Sequence, residues 1–254
     1  MPKKYYVVWQ GRQPGIFDDW DACKRQVDQF AGAKYRSFKT RSEAEAAFRR
    51  GRDAAPAKPG RTPGRPAGKG PRTWSAAEVD GLDARTKIFT DGGCEPNPGE
   101  AASGVAVYRD GMVDELWYGL YQPRGTNNSA ELHALHQALL IAEKDVAQKS
   151  SVAIFCDSTY SIQCITRWAF NWEKRGWKKP DGEIKNLELI QAVFALYKRL
   201  KGSVEVLHVN GHVGVEGNEL ADRMSIHGID TRETEFRRFQ TTADIAAVLA
   251  MRKG

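Results

Sequence analysis

The alternation of apolar and polar residues divides this chain into two patterned stretches separated by an unpatterned one. In the first, residues 4–9 (KYYVVW) predict a strand, residues 11–15 a glycine-bounded turn, and residues 20–30 a helix with Cys23, Val27 and Phe30 on one face. A second short strand is expected over 34–38. Thr40 followed by Glu43 forms the sequence of a capping box, opening a helix that runs to about residue 50. In the second stretch, Ile88, Phe89 and Thr90 form a β-branched and aromatic run that predicts a buried strand, and Gly92, Gly93 and residues 96–99 predict a turn after it. Val105, Val107 and the run 113–118, joined at Asp110-Gly111, predict a hairpin. Leu132, Leu135, Leu139 and Ala142 recur at helical spacing from a start near Asn128. A strand over 151–156, one or two short helices over 162–176 and a longer helix through Ile184, Leu187, Ile190, Phe194 and Tyr197 follow. A strand over 204–209 and a helix over 218–227 complete the order βββαβααβα. That order predicts an α/β fold, a mixed five-stranded sheet with helices on both faces, preceded by a small α+β domain.

Residues 51–71 (GRDAAPAKPGRTPGRPAGKGP) lack the apolar side chains needed to offset chain entropy. The expected domains are therefore 1–50, a flexible basic linker over 51–85, a main domain over 86–229 and a tail over 230–254. A coil of the linker's length spans about 30 to 35 Å, shortened by a helical turn around 75–82 beside Trp74. The tail carries a predicted helix over 242–252, with Ile245, Val248 and Leu249 on one face for docking onto its own domain.

Charge separates the parts further. Residues 1–50 hold 11 basic and 6 acidic side chains, residues 51–85 hold 7 and 4, and residues 86–254 hold 20 and 22, within a formal total of +6. A basic front end predicts attraction to a polyanion by the first domain, with local chemistry in the second. No apolar run reaches the ~18 residues of a membrane span, and the basic N-terminus has too short an apolar run for a secretory signal. Cys23, Cys94, Cys156 and Cys164 have neither metal-ligand nor redox spacing, which predicts reduced thiols. A cytoplasmic monomer without membrane association is the expectation.

Four acids stand where chemistry is expected. Asp91 ends the predicted strand, and Asp157 ends another that a β-α-β crossover makes its parallel neighbour, so both carboxylates reach one sheet edge. Each also has a plainer reading: Asp91 as a turn residue, Asp157 as a helix N-cap, Glu131 as partner of Asn128 in a capping box, and Asp222 as a solvated helical acid. Two carboxylates about 4 Å apart repel by ~4 kcal/mol at an effective dielectric of 20, so a cluster of four should hold divalent cations. Hard oxygen ligands without a cysteine or multi-histidine set favour Mg²⁺ or Mn²⁺ over zinc. Two such ions suit phosphodiester hydrolysis. Asn97, Asn127 and Asn128 offer amides suited to 2′-hydroxyls, although asparagine is also commonplace in turns. Tyr6, Trp20 and Tyr35 are interleaved with Lys34, Arg36, Lys39 and Arg41, a composition that grips bases and phosphates. In so small a domain, aromatics commonly serve as core instead.

The run YVVWQGRQPGIFDDWDACKRQVDQF resembles the N-terminal hybrid-binding domain of eukaryotic-type ribonucleases H1 over about residues 4–50. The resemblance implies that Tyr6, Trp20 and Tyr35 receive the DNA strand and that Lys34 and Arg36 contact phosphates. Ser37 replaces a second basic residue common at that position, implying a weaker grip. TDGGCEPNPG, GTNNSAEL, CDSTY and HVNGHVGVEGNELAD, in that order, resemble the four motifs of type 1 ribonuclease H over about residues 86–229. By that resemblance Asp91, Glu131, Asp157 and Asp222 hold two Mg²⁺ ions, and His212 assists proton transfer or product release. Asn97, Asn127 and Asn128 would read the RNA strand. Arg124, Thr126 and Asn186 would form a pocket for a DNA phosphate, and Trp168 and Trp172 belong to a substrate-handling protrusion with Trp177, Lys174, Arg175, Lys178 and Lys179. Gly93 stands where serine is frequent. The implied activity is endonucleolytic hydrolysis of the RNA strand of RNA/DNA hybrids, leaving 3′-hydroxyl and 5′-phosphate ends. A 3′-5′ exonuclease of the DEDD type would want Asp-x-Glu on the first strand, which Asp91-Gly92-Gly93 lacks. A non-catalytic hybrid-binding protein is the remaining alternative, and the presence of all four acids with His212 argues against it.

Overall fold

The computed structural model describes residues 4–28, 30, 33–38, 40–50, 71–179, 182–211, 214–240 and 244–254. Contacts divide the chain into two units, residues 1–67 and 68–254. No helix among the described residues is long and apolar enough to cross a membrane.

In the first unit, β1 (Tyr5–Gln10) is flanked by β2 (Gly15–Phe17) and β3 (Lys34–Phe38), all antiparallel, with α1 (Trp20–Val27) and α2 (Arg41–Arg50) packed on β1. Asp19 caps α1 by accepting the Ala22 amide. The expected box at Thr40 forms: Glu43 N–H donates to the Thr40 hydroxyl at 3.3 Å, and Thr40 N–H to the Glu43 carboxylate at 3.2 Å. Strand alternation sends Val7 and Val8 to opposite faces, and both are fully buried, so each face of this small sheet has a core.

The second unit is built on one seven-stranded sheet, and its five central strands are those the sequence pattern predicts. In spatial order the sheet runs Phe236–Arg238, Met112–Gly125, Gly99–Arg109, Thr86–Glu95, Val152–Cys156, Val204–Val209 and Thr73–Trp74. β4 (Thr73–Trp74) is followed by α3 (Ala76–Asp80), whose cap is a Ser75–Glu78 box. Then come β5 (Thr86–Glu95), β6 (Gly99–Arg109) and β7 (Met112–Gly125), an antiparallel meander whose tight turn carries Asp110 and Gly111 at positive φ. α4 (Asn127–Ala147) buries Leu132, Leu135, Leu139 and Ala142, as their spacing predicts. β8 (Val152–Cys156) returns parallel to β5, then α5 (Thr159–Gln163), a π-helical turn (Cys164–Trp168), α6 (Ala169–Lys174) and α7 (Leu187–Leu200) lead to β9 (Val204–Val209), parallel to β8. α8 (Glu216–Thr231), β10 (Phe236–Arg238) and α9 (Ile245–Leu249) close the chain. One apolar core holds α4 and α7 against the sheet, with Leu135, Ile154 and Phe194 at its centre. A second holds α8 and α9, around Phe89, Phe155, Leu220 and Met224.

Three expectations change. The sheet gains β4 and β10, whose two- and three-residue runs are too short to show periodicity. The linker expected over 51–85 ends earlier, because β4 pairs in parallel with β9 and α3 packs its buried Val79 on the second core; residues 51–70 lie outside the described residues. Gly92 and Gly93 belong to β5 rather than to a turn, since β5 stays paired with β6 through Glu95. A Cβ on Gly92 would stand 2.3 Å from the Glu131 amide nitrogen, so its bare backbone is what lets α4 begin against the strand.

Candidate active site

The parallel ladder between β5 and β8 ends at the pair Thr90 and Cys156, so the next residues, Asp91 and Asp157, emerge side by side. Gly92 brings the first turns of α4 against β5 and with them Glu131. Gly104 lies opposite Asp91 on β6, and a Cβ there would stand 2.0 Å from the Ala221 carbonyl oxygen. That close approach seats α8, and Asp222, over the same end of the sheet. Ligand oxygens of Asp91, Glu131 and Asp157 all lie within 4.8 Å of one another. Asp222 lines the same cleft, a space of about 400 Å³ that also takes in Asn127, Asn128, Tyr160 and Gly254.

The plainer readings of these acids give way to other residues. The α4 capping box is Thr126 with Ser129, which leaves Glu131 out of it, and α5 is capped by Ser158 rather than Asp157. Asp222 is 4 % exposed, so it is not a solvated helical acid. Burial first, and then the charges of Asp157 and Asp222, push the Asp91 carboxyl up to about 8 against a bond from the Ser225 hydroxyl. Glu131 is raised well above the ordinary range by burial, then by Asp91 and Asp157. Its Oε2 is buried without a hydrogen-bond partner among the described residues. An orphaned carboxylate oxygen inside a three-acid cluster fits a divalent cation, and an all-oxygen donor set fits Mg²⁺ or Mn²⁺.

Several supporting residues escape sequence reading. Ser225 Oγ donates to Asp91 Oδ2 at 2.9 Å and lies within the same distance of the Asp222 carbonyl oxygen. Asn218 Nδ2 donates to Asp157 Oδ2 at 3.4 Å. Arg223 pairs with Asp222. Ser225 follows Asp222 by three positions and Asn218 precedes it by four, so the helical spacing around Asp222 was the available signal.

The other site residues divide. Asn127 and Asn128 stand in the cleft at the start of α4, and the Asn127 amide donates to Asn97 Oδ1 at 3.3 Å, which ties Asn97 to them. Thr126 is the α4 N-cap, and Arg124 is exposed two residues before it. Asn186 sits in the left-handed region at the head of α7, where its side chain meets the Tyr160 hydroxyl. None of Asn97, Arg124, Thr126 and Asn186 lines the acid cleft. Trp168 and Trp172, with ring centroids 6.0 Å apart, are half-buried and pack on the larger core, so the core reading holds for part of each ring. His212 lies outside the described residues.

In the first unit, Tyr6, Trp20 and Tyr35 form an aromatic cluster in which Tyr6 packs on the core and Trp20 and Tyr35 reach the surface. Their ring centroids are 5.5 and 5.9 Å apart, and Trp20 and Tyr35 are 42 % and 47 % exposed. Among the described residues, Val8, Cys23 and Val27 form one buried cluster, with Tyr6 packed against it, and Val7 and Ala44 are buried as well. Alternation along β3 puts Lys34 and Arg36 on the face opposite Tyr35, with Arg36 over the Phe38 ring at 5.9 Å. β3 is an edge strand, so both faces border the same rim.

Comparison with known proteins agrees with both halves. Residues 83–230 match the RNase H family, and residues 4–48 match the family described as the ribonuclease H1 N-terminal domain. Ribonuclease H1 of Mus musculus is 31% identical over 262 aligned positions, covering 90% of each chain. Ribonuclease H of Thermosynechococcus vestitus is 43% identical over 140, covering 53% of this chain and 82% of that protein. Among solved structures, LC9-RNase H1, described as a type 1 RNase H with the type 2 active-site motif, superposes with a TM-score of 0.50 at 24% identity, covering 66% of this chain and 86% of that one; this likeness concerns the fold. With both domains present in this order, and a relative alike over nearly its whole length, the chain belongs to the ribonuclease H1 family.

Proposed function

We propose that this protein hydrolyses the RNA strand of RNA/DNA hybrids at internal positions, leaving 3′-hydroxyl and 5′-phosphate ends, with the acid cleft as its active centre. The observation that carries this reading is the convergence of Asp91, Glu131 and Asp157 within 4.8 Å, with Asp222 in the same cleft. Together the four would hold two Mg²⁺ ions, with Mn²⁺ as a substitute. When bound, the ions acidify the attacking water and stabilise charge on the leaving oxygen. The chain's own part is to hold its carboxylates ready and to orient the scissile strand. Ser225 and Asn218 fix the rotamers of Asp91 and Asp157 by hydrogen bonds. Asn127 and Asn128 project into the cleft and would meet 2′-hydroxyls on either side of the cut, and Asn97 would extend that row. Several consecutive ribonucleotides are then needed.

Arg124, Thr126 and Asn186 would contact the DNA strand's phosphates, and the exposed edges of Trp168 and Trp172 would pack on its sugars. His212 would assist proton movement or product release. In the first unit, Tyr6, Trp20 and Tyr35 would stack on the DNA strand while Lys34 and Arg36 neutralise phosphates along the β3 rim. A cytoplasmic monomer is proposed, consistent with four free cysteines, three of them buried.

The test is end-labelled RNA/DNA hybrid, duplex DNA and duplex RNA, each with and without Mg²⁺. Internal cuts in the RNA of the hybrid alone, and only with Mg²⁺, are expected. Cutting that persists in chelator, equal cutting of duplex DNA, or trimming from an end would overturn the proposal.

A further inference from the structure

Asp222 differs from the other three acids in what holds it. It shares the cleft, yet it is absent from the set of oxygens that converge within 4.8 Å. Its Oδ2 pairs with Arg223 Nη1, and the Gly254 amide donates to Oδ1 at 3.2 Å and to Oδ2 at 3.4 Å. The lone pairs that a cation needs on this carboxylate are therefore directed at two donors of the protein itself.

Gly254 reaches that position along a defined path. Asp244 caps α9 by accepting the Ala247 amide at 3.0 Å, and Val248 is buried in the core shared with Phe89, Leu220 and Met224. Arg223 Nε donates to the Leu249 carbonyl at 3.2 Å, so the residue that pairs with Asp222 also grips the end of α9. Beyond it, Arg252 bridges two elements of the site. One nitrogen reaches Glu95, at the end of the strand that carries Asp91, at 2.7 Å; others reach Asp230 of α8 at 2.5 and 3.3 Å. Residues 252–254 thus bring Gly254 into the lining of the cleft, between the apolar anchor at Val248 and the exposed ion pairs of Arg252.

We infer that residues 252–254 are positioning residues for the metal site: they hold Asp222 in reserve, and a divalent ion and the docked strap compete for its carboxylate. This rests on the proposed reading of the acid cleft. The Arg252 bridge is about half exposed and screened by solvent, so the fastening is weak enough to be reversible. Linkage requires reciprocity: if the strap weakens ion binding, bound ions loosen the strap by the same factor.

The test is calorimetric titration with Mg²⁺ and separately with Mn²⁺. It compares the 254-residue chain, a chain ending at Met251 that keeps α9, Arg252→Ala, and Asp91→Asn as a control for the cleft. One hydrogen bond of ordinary net strength released from competition predicts divalent binding about 5- to 10-fold tighter in the shortened chain. Arg252→Ala should give a smaller gain in the same direction, about 2- to 3-fold. Hydrogen exchange at residues 250–254 of the full chain should quicken when Mg²⁺ is added. Equal affinities in the full and shortened chains, both lost in Asp91→Asn, would overturn the strap and leave the cleft reading intact. Weaker binding after shortening would overturn it too, since the strap would then support the site. No divalent binding in any variant would overturn the cleft reading and the strap with it.

Discussion

The acid cleft of the second unit and the aromatic rim of the first are built on opposite principles. In the cleft, charge is buried: Asp91, Glu131 and Asp222 are 9 %, 4 % and 4 % exposed, held between a strand and two helices whose approach depends on Gly92 and Gly104. At the rim, the rings of Trp20 and Tyr35 are left about half in solvent, beside a cluster of Val8, Cys23 and Val27. Each arrangement costs stability in isolation, the first by desolvated like charges and the second by uncovered rings. The contrast separates two tasks. A cleft of this kind is suited to reaction at one phosphate, and a rim of this kind to holding a polymer of any sequence.

Breaking the cleft should have the largest effect. Asp91→Asn should lower cleavage by on the order of 10³-fold or more, because the central carboxylate of the cluster is lost. Hybrid binding by the rim should be almost unchanged. Retention of a tenth of the parent rate with Mg²⁺ would remove Asp91 from the centre of the chemistry. His212→Ala should follow, with a loss of about 10²-fold for a proton carrier that water partly replaces. A loss equal to that of Asp91→Asn would give His212 a direct part in holding the ions.

Removing the rim should act on binding rather than on chemistry. Deletion of residues 1–50 takes away a net charge of +5 and the three rings. Each phosphate contact contributes roughly 0.7 to 0.9 to the slope of log K against log salt, so losing two to four contacts should reduce the slope by about 1.5 to 3.5. Product patterns sharpen the distinction. Tethered cutting by the intact chain should give clustered products on long hybrids, and the truncation should give scattered single cuts. Identical slopes and patterns for the two proteins would return the aromatics to a purely structural role.

The smallest effect concerns stability without metal. The Asp91 carboxyl lies near 8 in the folded chain against an ordinary value of 3.8, chiefly through burial. The folded state therefore keeps a proton that the unfolded state releases, and stability falls as pH rises from about 4 towards about 8. In chelator, Asp91→Asn should raise Tm at pH 8 and leave it nearly unchanged at pH 4, with roughly 2 to 4 °C for each kcal/mol relieved. Equal Tm differences at both pH values would show that Asp91 bears no such strain.

Legibility follows the same division. The helical spacing of Leu132, Leu135, Leu139 and Ala142 and the β-branched run at Ile88 were readable because each buries a regular face, and they locate the sheet end where the acids meet. What made Asp91 readable as a ligand was its company, three further acids in order, rather than its own turn, which proved to be a strand. β4 and β10 could not be read, since two or three residues carry no period. Gly254, and the bond from Ser225 to Asp91, were hidden for a different reason: they come from tertiary proximity across 32 and 134 positions of chain, which no local spacing encodes, whereas the helical neighbours of Asp222 could have been read from spacing. The rim was legible as composition only. Whether Trp20 and Tyr35 face the core or water depends on how α1 and β3 pack on β1, a tertiary quantity that composition does not carry.

The most direct test of the central claim is anomalous diffraction from crystals soaked with Mn²⁺, with a non-cleavable RNA/DNA hybrid bound. The account predicts two peaks in the cleft, Asp91 coordinating both, with Glu131 and Asp157 each touching at least one and Asp222 turned from Gly254 towards the metal. Absence of a peak in the cleft, or peaks that leave Asp91 uncoordinated, would contradict it.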